Sequence, residues 1–89
     1  MKLQLDNTDM GDLFVTVLDL NLAPGAKPVL DNQRVNERDS VFVDVQLDGR
    51  SKFDIRWTAV RADDPGKTAT REISGDDNPA PIGVTTFFG

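Results

Sequence analysis

The feature that most constrains this chain is a hydrophobic period of two. From residue 41 to residue 47 Val41, Val43, Val45 and Leu47 share one face, with Phe42, Asp44 and Gln46 on the other. Phe53, Ile55, Trp57 and Ala59 repeat the pattern against Asp54, Arg56 and Thr58. Successive side chains of an extended strand point to opposite faces, so these segments bury one face and wet the other only as β-strands. A helix would scatter the same residues around its circumference.

Reading the rest of the chain by the same rule predicts seven strands, at residues 2–5, 13–20, 28–35, 40–47, 53–60, 68–73 and 83–88. Clusters of Gly, Pro, Asp and Asn separate them, and strand starts recur roughly every 10–15 residues, the spacing of a sandwich or small barrel. The second strand is apolar on both faces, Leu13, Val15 and Val17 against Phe14 and Leu18, which predicts a central or well-covered position. The sixth is polar and reads as an edge. Residues 32–39 have helical composition but no 3.6-residue apolar stripe. The expected fold is therefore all-β: a seven-stranded antiparallel β-sandwich, immunoglobulin-like in general form, with a small open β-barrel as the alternative. Residues 1–89 read as one such domain.

The Asp48-Gly49 step looks like a hairpin turn between the fourth and fifth strands. A two-residue turn would set Val45 opposite Lys52 and Val43 opposite Asp54, putting charge into the apolar face. An odd connection of three residues, with Gly49 left-handed, sets the valines beside Phe53 and Ile55 and is the expected solution. That hairpin would also place Asp44 and Arg56 on one outward face of adjacent strands as a surface pair.

Composition narrows function by exclusion. With no His and no Cys, the residues most used for acid–base and nucleophilic catalysis and for soft metals are missing. The serines, Ser40, Ser51 and Ser74, stand beside turns, and no glycine cluster opens a phosphate-binding helix. The reading is non-enzymatic and without cofactor. A net charge of −5 repels polyanions, and the basic trio Arg50, Lys52 and Arg56 is interleaved with Asp48 and Asp54, which disfavours nucleic acid. No run of about 18 apolar residues predicts a membrane span. Gln4 and Asp6 interrupt any leader-like apolar run, so the expected location is cytoplasmic, with leaderless export or a processed secreted form as alternatives.

Two chemical candidates remain. Asp63 and Asp64 in one loop, and Asp76 and Asp77 beside Asn78 in another, offer hard oxygen ligands for calcium, with Asp9 and Asp12 as a third acidic loop; a calcium- or carbohydrate-binding sandwich is the alternative function. None has EF-hand spacing, and loop aspartates are ordinary turn formers, so solvated turns are the preferred reading. Trp57 shares its phase with Phe53 and Ile55 and is expected in the core. At the chain end Phe87 and Phe88 point to opposite faces, so one core covers only one of them. Val84 and Thr86 share the face of Phe88, so Phe87 is either covered within the domain on an internal strand, the preferred reading, or is the candidate anchor of a contact with a protein partner or a second copy, beside an edge without Lys or Pro to blunt it. The expected function is an interaction or accessory module.

Overall fold

A computed structural model of the chain describes residues 1–87, and the statements below concern those residues. Seven strands form: β1 (Lys2–Asn7), β2 (Leu13–Asp19), β3 (Leu30–Val35), β4 (Ser40–Asp44), β5 (Lys52–Arg61), β6 (Thr68–Asp76) and β7 (Ile82–Val84). They make two sheets, a three-stranded one ordered β4-β1-β7 and a four-stranded one ordered β3-β2-β5-β6. There is no helix among the described residues, and so none long and apolar enough to cross a membrane.

Each sheet turns one apolar face to the other. Leu3 and Leu5 of β1, Val43 of β4, Val45 just beyond it, and Ile82 and Val84 of β7 meet Leu13, Val15 and Val17 of β2 and Phe53, Ile55, Trp57 and Ala59 of β5 in one cluster. Trp57 is wholly buried at its centre. Each fully buried side chain of this kind stabilises the fold by about 1.5–3 kcal/mol relative to exposure. Phe53 lies over Gly75, its partner across the β5–β6 ladder, where an added Cβ would stand 3.0 Å from the ring. As expected, β2 is internal to its sheet and the polar β6 is an edge. Leu47, expected inward with the valines, is instead exposed, because the chain has left the sheet after Asp44.

Three expectations are corrected. The sandwich is not wholly antiparallel, since β1 and β7 run parallel, with Leu5 beside Ile82 and Asn7 beside Val84. The immunoglobulin constant arrangement joins strands one, two, five and four in one sheet. Here β1 instead pairs with β4 and β7, so the likeness stops at the two-layer form.

The fourth and fifth strands do not form a hairpin. Both edges of β5 are taken, by β2 over Leu13–Asp19 and by β6 along its full length, so β4 pairs with β1 in the opposite sheet. The valines and Phe53, Ile55 and Trp57 therefore meet face to face across the core rather than side by side. The connection from Asp44 to Lys52 is seven residues long and includes a three-residue turn, closed by the Asp48 N–H on the Lys52 carbonyl at 2.8 Å, in which the left-handed residue is Ser51 (φ 59°) rather than Gly49. Splitting the hairpin also separates Asp44 from Arg56. Asp44 lies beside Lys2 on β1, and Arg56 pairs with Glu72 on β6.

The third correction concerns the chain end. The last strand stops at Val84, and Thr85, Thr86 and Phe87 lie beyond it. Pro79 and Pro81 immediately precede β7, so this edge does carry the blunting residues thought missing. Phe88, expected in the core, lies outside the described residues.

Candidate functional site

At the ends of the apolar runs the inward phase continues into polar residues. Leu3 and Leu5 lead to Asn7, Leu13, Val15 and Val17 lead to Asp19, and Phe53 to Ala59 leads to Arg61. These side chains close the two ends of the sandwich.

One end gathers the β1–β2 loop, the β3–β4 turn, the β5–β6 loop and the segment after β7. Asn7, buried, donates its side-chain amide to the carbonyls of Gly11, Val35 and Asn36 at 2.9–3.2 Å, and its side-chain oxygen accepts the Asp9 N–H at 2.9 Å. The Asp9 side chain has no exposed surface. Its Oδ2 accepts the Thr86 N–H and the Thr86 hydroxyl, each at 2.7 Å, and the Thr85 hydroxyl at 3.2 Å. Its Oδ1 accepts the Met10 N–H at 2.7 Å and the Arg61 guanidinium at 3.1 Å. A carboxylate offers about four lone-pair sites, and five donors occupy this one. It has no acceptor capacity left for a metal or a substrate proton, and its role is to join three segments distant in sequence.

Burial pushes the Asp9 carboxyl up, but the Thr86 N–H and hydroxyl, the Met10 N–H and the Thr85 hydroxyl outweigh it and hold the group below the usual carboxylate value. Asp63 grips the other side of Arg61 through bonds of 2.9 and 3.0 Å. That pairing lowers the Asp63 carboxyl and raises the guanidinium. Asp12 accepts the Glu37 N–H at 2.8 Å and Arg34 at 2.7 Å, and both hold it below its ordinary value. Arg34 in turn lies 5.6 Å over the Phe14 ring. Asp12, Arg34, Ala62 and Asp63 line an open groove of about 320 Å³.

The consequence of this tightly bonded end is what it leaves outside. Met10 is 73% exposed and Phe87 61% exposed, and each directly follows a residue of the Asp9 network. Phe87 is thus exposed rather than covered within the domain, which corrects the preferred expectation, and it lies beyond the strand rather than within it. Met10 had no sequence signal, because nothing in a loop reveals which way a lone apolar residue points.

The opposite end is held by Asp19, which accepts the Asn21 N–H at 3.0 Å and the Gln46 N–H at 2.8 Å. The Asn21 side chain ties the Gln46 and Lys52 carbonyls, each at 3.0 Å. The proposed calcium ligands divide between the two ends. Asp63 and Asp64 flank the β5–β6 turn, whereas Asp76 closes β6 against Lys52, and Asp77 follows it. Nine rungs of ladder separate the two pairs, roughly 27 Å at about 3.4 Å each, so they cannot converge on one ion. Asp9, expected in a solvated acidic loop, is buried instead, and so is Asp19.

Three comparisons with known proteins bear on this arrangement. No protein-family model matches the chain, no curated protein matches it, and no solved structure matches it.

Proposed function

We propose that the protein is a non-enzymatic interaction module that contacts a partner protein through the Asp9 end, with Met10 and Phe87 as its apolar contacts. The observation that carries this reading is their exposure on two segments held by one buried carboxylate. Large apolar side chains in a soluble fold ordinarily find cover. Here the backbone beneath them is fixed in advance, which removes part of the ordering cost of binding. The saturated Asp9 carboxylate and the absence of His and Cys from the sequence support a binding rather than a chemical role. The cysteine-free composition fits work in a reducing compartment such as the cytoplasm.

The experiment compares proteins captured from the source cell by the wild type and by a Met10→Ser/Phe87→Ser double variant, followed by direct binding of each captured protein. The expected result is a partner retained by the wild type and lost by the double variant, with melting of the two proteins within about 0.5 kcal/mol because both positions are exposed. A partner bound equally by both would remove this end from the function.

A further inference from the structure

The strands are not tied in equally. β6 shares nine rungs with β5 and β4 five with β1, whereas β7 shares three, Ile82 to Val84, with β1 alone. That pairing is parallel, the less stable arrangement per residue, and its middle residue is Gly83, which adds no side chain to either face. The five residues before it, Asp77 to Pro81, lead from β6 in one sheet to β7 in the other. Among the described residues they form no hydrogen bond, and all but Pro79 are exposed. Pro79 and Pro81 have no N–H to give a ladder.

The far end of this segment is tied differently. Thr85 and Thr86 are buried and give three donors to Asp9 Oδ2, the Thr86 N–H and hydroxyl at 2.7 Å and the Thr85 hydroxyl at 3.2 Å. Between the two ends the Val84 carbonyl accepts the Thr8 N–H at 3.0 Å and the Thr8 hydroxyl at 3.3 Å. Among the described residues, every hydrogen bond from 82–87 to the rest of the chain goes to β1, Thr8 or Asp9. The hold is thus concentrated on one carboxylate, close to the end of the segment. Such a segment does not fray residue by residue, since releasing Thr85 and Thr86 strips a buried carboxylate of three of its five donors. Once they are released, three rungs and the side chains of Ile82 and Val84 are what remains to hold it.

We propose that residues 82–87 are a strap that opens and closes as one body on the 77–81 linker, with the Asp9 carboxylate as its latch. Local openings are drawn from elements with few buried contacts and loosely bonded connections, and this segment has both. Opening leaves the four-stranded sheet and the β1–β4 ladder in place, because the strap pairs only with the opposite edge of β1. It uncovers that edge from Leu5 to Asn7, admits water to the Asp9 carboxylate and carries Phe87 away from the loop that bears Met10. Closed, the strap restores all three. The inference does not rest on the partner contact, since latch and linker act whether or not Met10 and Phe87 meet another protein.

The test is amide exchange of the intact protein at low denaturant, read at two pairs of N–H groups. Thr8 donates to Val84 and Thr86 to Asp9, across the contacts of the strap, whereas Asn7 donates to Asp39 and Leu20 to Asp54, away from it. The expected result is one shared opening for Thr8 and Thr86, with exchange at least about tenfold faster relative to the unfolded chain than at Asn7 and Leu20. Thr86→Val, which deletes one latch bond, should speed the first pair about five- to tenfold further and leave the second pair unchanged. Exchange at Thr8 and Thr86 only through the unfolding that frees Asn7 and Leu20 overturns the proposal. So does a different opening for each of the two, or a Thr86→Val effect that is absent or spread equally over all four.

Discussion

Asp9 and Thr86 stand seventy-seven residues apart in sequence and are joined twice, the buried Asp9 Oδ2 accepting both the N–H and the hydroxyl of Thr86 at 2.7 Å. Through that pair the first loop holds the segment after the last strand, and through Arg61 it also holds the end of β5. Most of the strand pairing lies within each sheet, so bonds of this kind close the sandwich at its end.

Removing the Asp9 carboxylate leaves Arg61 with Asp63 alone and takes the acceptor from two buried hydroxyls and from the Thr86 N–H. Asp9→Ala is expected to cost about 3–5 kcal/mol, and Asp9→Asn somewhat less because the amide still accepts at one atom. The folded-state carboxyl sits below its ordinary value of 3.8, so its stabilisation is complete above that value and is lost as pH falls through the lower folded value. Denaturant titrations between about pH 5 and pH 2 should show the wild type losing stability from about pH 4 downward and Asp9→Asn losing less. Equal slopes would mean that another carboxylate dominates acid unfolding.

Trp57 has no exposed surface and faces Val17 and Arg71 along the two ladders that flank β5. Trp57→Ala is expected to cost about 3–5 kcal/mol, enough to unfold a domain of this size. Native fluorescence should resist acrylamide. Quenching as efficient as that of free tryptophan would contradict the burial.

The separation of the two acidic pairs predicts the response to calcium. With Asp63 committed to Arg61 and Asp76 to Lys52, at opposite ends of the β5–β6 hairpin, millimolar calcium should leave the melting midpoint unchanged. A saturable rise that vanishes in an Asp76→Asn/Asp77→Asn variant would revive the calcium-binding alternative.

Ser51 closes the Asp48 turn with φ 59°, a conformation that costs an L-residue about 1 kcal/mol. Ser51→Gly should stabilise the protein by up to about 0.5 kcal/mol after its own entropy cost, and Ser51→Val should destabilise it by more, since β-branched residues tolerate this region least. Thermal melts of the two variants check the order. The reverse order would place the strain elsewhere in the turn.

What the sequence determined by itself is the set of strands and the face each one buries. Period two is a local property, so Val43, Val45, Phe53, Ile55 and Trp57 could be assigned inward before any partner was known. The signal for the two closed ends was partly present too: Asn7 and Arg61 at the Asp9 end, and Asp19 at the other, continue the inward phase of their strands, and a polar residue in that phase must find partners at the sandwich end. Their partners were not legible, because Thr86 lies seventy-seven residues from Asp9 and Val35 twenty-eight from Asn7. Strand pairing was decided only by the tertiary structure. The residues around Asp48 fit a hairpin as well as they fit a crossing between sheets. The choice depends on which edges of β5 are already filled, and β2 and β6 fill both. Alternation tells a strand which face to bury, but hydrogen-bonding edges look alike in every sequence, so their partners emerge only when all seven strands compete for them.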